Sequence, residues 1–423
     1  MKVAIVGAGW AGCAAAVEAT RLGHHITIFE ASRTAGGRAR RVMASVAGQP
    51  VALDNGQHIL IGAYAETLRL MQDLGVDESA SFLRLPLTMQ FPDGSGLKLP
   101  NWPAPLDAFA GILTASGWSW ADKLSLLRVA LGWRLGGFTC PPEQSVSDLC
   151  RGLTQAAMAS LIEPLCVSAL NTPAERASGQ VFLRVMRDAL FAQSGGSNLL
   201  LPRRDLSALL PDAALAWLAA QGSTVCLGVR VQAIAPAVSG WELRTDTCGT
   251  FDHVVLACPP NEAARLVQGG CVAAGARLAQ AHGIQYEALS TVYVQAPQAR
   301  LRQPMLALRS SKAEPAQFVF DRGQLGGPDG LLAFVISAST GNSATLTQQV
   351  LAQATRQLGL TALQAVQTIV EKRATFACTP ALQRPAADIA PGLSACGDYI
   401  AGPYPATLEG AVLSGLEAAR SLC

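Results

Sequence analysis

The sequence predicts an α/β protein in which segments from both ends of the chain build one parallel sheet and an α+β domain is inserted between them. Three observations carry this prediction. The chain opens with a strand, a glycine-rich turn, a helix and a second strand. It closes with a strand, a polar loop and an apolar helix. The middle shows apolar residues at helical spacing, broken by Pro and Gly, and then mixed strands and helices.

The opening segment is the most informative. Lys2–Val6 is a short apolar run of β-formers and reads as a buried parallel strand. Gly7-Ala8-Gly9-Trp10-Ala11-Gly12 follows at once, then an Ala-rich helix, then His25–Phe29 as a second strand ending at Glu30 and Ala31. Gly7 permits the tight turn, Gly9 lets a pyrophosphate approach the backbone, and Gly12 allows helix and sheet to pack closely. The N–H groups at the helix start, around Trp10 and Ala11, face the anion. Glu30 can accept hydrogen bonds from ribose hydroxyls, and an acid there disfavours a 2′-phosphate. This is a Rossmann-like dinucleotide site.

Size and balance bound the rest. The chain has 423 residues, 50% hydrophobic and 15% charged, which allows two or three domains and excludes a largely disordered chain. A net charge of +2 without basic blocks argues against nucleic acid. Eleven Cys occur with no C-x-x-C pair, so buried thiols are expected rather than a disulfide framework or a metal site. No apolar run reaches the ~20 residues that cross a bilayer. Lys2 followed by the uncharged stretch Val3–Val17 imitates a signal peptide, but the glycine spacing inside it favours the nucleotide turn. The expected location is cytoplasmic. A mean hydropathy of +0.28 points to a greasy ligand or to peripheral contact with the inner membrane.

Arg33-Thr34-Ala35-Gly36-Gly37-Arg38 comes just after Glu30. A Gly-Gly turn followed by Arg38 resembles the extended fingerprint of FAD-dependent oxidoreductases of the amine oxidase and phytoene desaturase type. The resemblance implies FAD as cofactor and a Rossmann-like FAD-binding domain of the GR2, or amine-oxidase, type with an inserted α+β substrate domain. In that class a segment such as Leu53–Gly62 (LDNGQHILIG) passes the isoalloxazine ring. Asn55, Gly56 and Gln57 then become cofactor candidates, and Asp54 and His58 candidates for chemistry. A structural histidine is the equal alternative for His58.

Near the C-terminus, Gly397-Asp398 and Tyr404-Pro405-Ala406-Thr407-Leu408-Glu409-Gly410 resemble the second half of the fingerprint. Asp398 would bind the ribityl or pyrophosphate region. The N–H groups of Thr407 and Leu408 would face the flavin N1–C2=O edge, where the helix dipole favours the anionic reduced ring. Ser223–Leu227, Val229–Ile234, Trp241–Arg244 and His253–Ala257 read as strands extending the same sheet, with Val231 meeting the adenine edge as in the class. The FAD domain is expected over residues 1–85, 200–262 and 370–423, and the substrate domain over 86–199 and 263–369. In the first insertion, Ala121–Leu135, Ser147–Val167 and Val181–Phe191 read as helices. In the second, Ser290–Val294 and Leu331–Ser337 read as strands and Leu346–Leu358 as a helix.

Further stretches narrow the resemblance. Pro164–Pro173 (PLCVSALNTP), Leu199–Arg203 (LLLPR), Glu371–Pro380 (EKRATFACTP) and Gly397–Gly410 (GDYIAGPYPATLEG), with Leu53–Gly62, resemble the squalene-associated FAD-dependent desaturase family, the hydroxysqualene dehydroxylases of hopanoid biosynthesis. This implies that hydroxysqualene loses its allylic hydroxyl and gains hydride from reduced flavin N5, giving squalene. The electron donor would be NAD(P)H, and squalene-synthase-like pathway enzymes are candidate partners. The proton donor for the leaving oxygen is open among Glu409, His58, Asp54 and Tyr404. Glu409 could act as an acid raised by an apolar cavity, or only hydrogen-bond within the flavin site. The alternative reaction is oxidative desaturation of a polyene. Four Trp (Trp102, Trp118, Trp120, Trp133) lie beside Lys123, Arg128 and Arg134. That cluster reads either as a membrane-interfacial surface or as core packing of a helical cap.

Overall fold

The computed structural model describes residues 1–270 and 275–422. A six-stranded sheet forms the base, in the order Thr224–Leu227, His25–Glu30, Lys2–Val6, His253–Leu256, Leu393–Ala395, Asp388–Ala390. The first five strands are parallel and the last is antiparallel. Lys2–Val6 lies in the interior of this sheet, which explains why its residues Val3–Val6 are all buried and read as a continuous apolar run.

The helix Trp10–Arg21 covers one face, and the C-terminal helix Leu408–Arg420 lies against it. The contact is made by small residues. A Cβ on Gly415 would stand 2.2 Å from the Ala11 carbonyl oxygen and 3.0 Å from the Ala15 nitrogen. The two helices therefore meet backbone to backbone, and Ala11, Ala15, Ala418 and Ala419 are all buried there.

A second, antiparallel sheet of five strands runs in the order Met305–Ala307, Phe318–Asp321, Leu331–Ser337, Tyr286–Gln295, Gln364–Phe376. Leu331–Ser337 is buried along its whole length because both of its faces are covered, Leu331, Ala333 and Val335 by one core and Leu332, Phe334 and Ile336 by another. The helix Ser343–Leu358 packs near this sheet, and Asn342 caps its start by accepting from Thr345 N–H. The helices of residues 106–192 form a cap whose buried side chains, such as Leu161 and Phe182, share one core with Tyr293 and Phe376 of the second sheet.

Several expectations change. The strands Ala233–Pro236, Trp241–Arg244 and Cys248–Phe251 do not extend the parallel sheet; they form their own three-stranded antiparallel sheet. Short hairpin turns join them, and a parallel neighbour would need a long crossover instead. Residues 229–232 are not strand. Gln364–Phe376 pairs with Tyr286–Gln295, so residues 370–376 belong to the second sheet rather than to the FAD-domain segment starting at 370. The expected helix Ser147–Val167 breaks into Val146–Leu149, Gln155–Ala157, a π-turn and Glu163–Leu170. Thr154 is the reason, because its side chain caps Ala157 N–H and restarts the helix after Gly152. Gly179–Arg187 likewise ends in a π-turn, Asp188–Ala192.

Replacing Gly415 by Val should strain the helix crossing, because backbone atoms leave the new side chain no room. Overpacking of this kind costs ~1–3 kcal/mol or more. The expected outcome is a lowered thermal midpoint and weakened flavin retention, read by calorimetry and by absorbance after gel filtration.

Candidate active site

The glycine turn is built for a ligand. Gly7 has φ of +116° and gives its N–H to Phe29 O at 2.7 Å. A Cβ on Gly7 would lie 2.4 Å from Ala257 O, and one on Gly12 would lie 1.9 Å from Gly7 O. Protein packing thus explains both of these glycines. Gly9 differs: a Cβ there would meet only Gly37 Cα, at 3.9 Å. Its bareness keeps space clear at the start of the helix Trp10–Arg21. That helix has no side-chain cap and no acid in its first turn. Among the described residues, the N–H groups of Ala11 and Gly12 have no protein acceptor. Orphan donors at a helix start beside a bare backbone suit a pyrophosphate.

The neighbouring candidates frame this cradle. Glu30 accepts from Ala8 N–H at 2.8 Å and Ser32 N–H at 2.7 Å, which holds its carboxylate at the end of its strand with lone pairs to spare. Ala31 is exposed beside it. The Trp10 indole donates to Ala39 O at 3.1 Å and pins the loop carrying Gly36 and Gly37. Gly36 N–H reaches Ala8 O at 2.8 Å, and Gly36 (φ +110°) and Gly37 (φ +61°) both need the left-handed side of backbone space. Arg38 then spans the chain, with 2.5 Å to Asp398 and 2.9 Å to Ala374 O. Gly9, Gly37, Arg38 and Asp398 are therefore linked by direct contacts, although the last lies 389 positions from the first.

Around Asp398 the C-terminal half is equally ordered. Gly397 N–H donates to Ser414 Oγ at 3.1 Å, and Asp398 O accepts from Ala406 N–H at 3.3 Å. Ala406 takes φ of +56°, which turns the chain into the helix. Thr407 caps that helix: its Oγ1 accepts from Gly410 N–H at 2.9 Å and donates to Tyr404 O at 2.9 Å. The N–H groups of Thr407 and Leu408 have no protein acceptor among the described residues. Val231, in the non-strand segment 229–232, is buried. Its carbonyl accepts from Arg265 at 3.3 Å, and its N–H has no protein acceptor among the described residues.

The four candidates for chemistry sort clearly. Glu409 is buried and accepts three hydrogen bonds, from Glu66 N–H (3.0 Å), Thr67 N–H (2.9 Å) and Thr67 Oγ1 (2.6 Å). It caps the helix Ala65–Asp73 from a distant part of the chain. Burial raises its pKa while these bonds oppose the rise. Asp54 is also buried, and its carboxylate accepts from Leu206 N–H at 2.8 Å. Burial pushes Asp54 up to about 7, and the nearby Arg322 guanidinium opposes this. The Asp54 carboxylate thus serves the helix start at Leu206.

His58 is half-buried, with Nδ1 at 2.5 Å from Gly56 O. Burial lowers its pKa, so the ring is neutral near pH 7 and its Nε2 is an acceptor. Tyr404 donates to Asp188 at 2.9 Å, and Asp188 also holds Arg187 at 2.7 Å. Burial and the Asp188 carboxylate push the Tyr404 phenol up to about 12. Asn55 Oδ1 accepts from Arg40 N–H at 3.3 Å, and Gln57 N–H reaches Thr291 Oγ1 at 3.4 Å. Gly56 lies against Leu289 of the second sheet, whose Cδ2 would be 3.3 Å from a Cβ there.

The sequence reading missed Arg322, Tyr293 and Asp188. Arg322 is buried and reaches Gln57 Oε1 (3.4 Å) and Pro202 O (3.2 Å). Tyr293 donates to Asp54 O at 2.9 Å. Each lies far from its partner in sequence, and no local spacing could reveal the pairing.

Two half-sites joined through Arg38 and Asp398, with orphan N–H groups at two helix starts, define a dinucleotide-binding flavoprotein, and the residues present fit FAD. The pattern of the Flavin containing amine oxidoreductase family matches residues 10–423, and the chain belongs to that family as an FAD-dependent oxidoreductase. It is 29% identical to "Hydroxysqualene dehydroxylase" of Rhodopseudomonas palustris, over 99% of this chain and 97% of that protein. Over 79 residues, 19% of this chain and 16% of the other, it is 38% identical to "Zeta-carotene desaturase" of Synechocystis. In fold it matches an oxidoreductase from Methanosarcina mazei, with a TM-score of 0.76 at 16% identity, covering 99% of this chain and 100% of that one.

Two outcomes are expected here. Gly9→Val should purify folded but colourless, because its side chain fills ligand space and not protein space; the flavin absorbance band against circular dichroism checks it. Asp54 is raised when folded from its ordinary value of about 4. The folded state therefore keeps a proton that the unfolded chain has lost, and the associated stability fades as pH rises towards about 7. Asp54→Asn should flatten that decline in thermal midpoints measured from acid to neutral pH.

Proposed function

We propose that the protein removes the allylic hydroxyl of hydroxysqualene reductively, giving squalene. The observation that carries this reading is the end-to-end similarity to the Rhodopseudomonas dehydroxylase. Bound FAD, once reduced, supplies a hydride. The allylic C–O bond breaks, hydride takes the place of oxygen at carbon, and the hydroxyl leaves with a proton as water.

The chain's residues supply the rest. A substrate with one hydroxyl offers little to hold except apolar surface, worth ~25 cal/mol per Å² buried. Half-buried Ile59, Ile61, Leu165, Leu190, Leu289 and Ile369 pack against the core and provide such surface. The same side chains keep water from the allylic cation left when the C–O bond breaks. The helix start at Thr407 and Leu408 carries the positive end of a helix dipole and favours negative charge beside it.

We assign the proton to Tyr404. Its phenol, near 12, is far more acidic than the water that forms as hydroxide leaves, so transfer runs downhill. Its O–H, donated to Asp188 at 2.9 Å, turns from that carboxylate to the leaving oxygen. NAD(P)H is the proposed reductant, reaching the site without a second nucleotide fold. The setting is the cytoplasmic side of the inner membrane, close to the enzymes that make the C30 alcohol.

Dithionite-reduced protein mixed anaerobically with hydroxysqualene should yield squalene, detected by gas chromatography with mass spectrometry; intact alcohol beside reduced flavin rejects the reading. The local similarity to a carotene desaturase supports a second reading, oxidative desaturation of a polyene. Oxidised protein incubated with squalene or phytoene would then bleach its flavin. Tyr404→Phe should keep its flavin and lose ~10²-fold or more in turnover, the usual contribution of a general acid. Glu409→Gln should retain turnover and lose thermal stability.

A further inference from the structure

The greatest concentration of outward-facing grease in the described residues lies on the helical cap. Leu106 and Phe109 on the helix Leu106–Thr114, and Trp120, Leu124, Leu131 and Leu135 on the helix Trp120–Leu135, are all exposed. Trp102 stands exposed just before the first of these helices. The positions 120, 124, 131 and 135 recur at helical spacing, so they form one outward stripe. The inward face is apolar as well: Leu126 is buried, and Trp133 packs edge-on against Phe182 with ring centres 6.0 Å apart. A helix that is apolar on both sides is one covered on both sides.

The charge around the stripe says what covers it. Between Asp93 and Glu143 the acids are Asp107 and Asp122, and both are buried. Asp122 is consumed by the capping box with Ser119 and by Thr154, at 2.6 Å. The cations of the same stretch are Lys98, Lys123, Arg128 and Arg134, and none of them pairs with a carboxylate among the described residues. Arg128 falls within the stripe and Arg134 beside its end. Lys123 Nζ lies over the Trp120 ring at 5.3 Å. A second copy of this face would bring cation against cation, whereas anionic headgroups complement it.

We propose that the face formed by Leu106–Thr114 and Trp120–Leu135 docks the protein monotopically on an anionic phospholipid bilayer. The leucines and Phe109 enter the acyl boundary, the exposed indoles sit at headgroup level, and Arg128 and Arg134 meet phosphates. Neither helix is long enough to cross the hydrocarbon. The surface acts independently of which polyprenoid the flavin reduces, so its test reads binding and not turnover.

The experiment is vesicle co-sedimentation of the full-length, FAD-loaded protein. Vesicles containing phosphatidylglycerol should pellet it at low salt, while pure phosphatidylcholine should bind it less and high salt should release part of it. Leu124→Gln combined with Leu131→Gln should weaken binding roughly ten-fold or more, with flavin content and thermal midpoint unchanged because both side chains already face outward. Arg128→Glu combined with Arg134→Glu should abolish the preference for phosphatidylglycerol. Protein that stays in the supernatant with anionic vesicles at low salt overturns the proposal. So does a lipid-free dimer in analytical ultracentrifugation that the double glutamine variant converts to monomer, since the face would then join two copies.

Discussion

The C-terminal helix reaches its place because Gly415 has no side chain. Its backbone comes so close to Ala11 and Ala15 that any Cβ would strike the Ala11 carbonyl. That close approach decides how the end of the chain lies across its beginning. It brings the helix start at Thr407 and the glycine turn at Gly7–Gly12 to the carboxyl ends of the central parallel strands. The pairing of Leu393–Ala395 with His253–Leu256, which itself pairs with Lys2–Val6, works in the same direction. Without this crossing, each chain end would hold half of a cofactor site.

Once the ends are joined, the polar groups divide into two kinds. Some are satisfied by the protein: Glu409 by the helix Ala65–Asp73, Asp54 by Leu206, and Arg38 by Asp398. Others lack a protein partner among the described residues, and they include the N–H groups of Ala11, Gly12, Thr407 and Leu408. Buried backbone donors are costly when orphaned. A ligand with acceptors at both ends resolves that cost at two helix starts together, and FAD is such a ligand.

The inserted parts answer a different demand. The second sheet presents Leu289 to Gly56, and the helical cap turns a further apolar face outward. An enzyme for a greasy substrate needs both a dry interior and access to the phase where that substrate dissolves. The first half of the chain's Trp-rich cluster splits accordingly: Trp118 and Trp133 pack inward, while Trp102 and Trp120 face out.

Where a signal is local, the sequence determined the outcome. The glycine turn, the strand ending at Glu30 and the Gly-Gly turn are each visible in the sequence as a short spacing pattern. Strand ends at Trp241–Arg244 and Leu331–Ser337 also match, since short alternating or apolar runs define them. Only the tertiary structure decided which sheet Gln364–Phe376 joins, and that the strands of residues 233–251 form a sheet of their own. It alone assigned Glu409 to a helix cap 342 positions away in sequence, at Thr67, and buried Arg322 beside Gln57. A carboxylate reads the same in sequence whether it faces a substrate or a helix start. What separates the two is the distance to unpaired N–H groups, and folding sets that distance through contacts that no local spacing encodes.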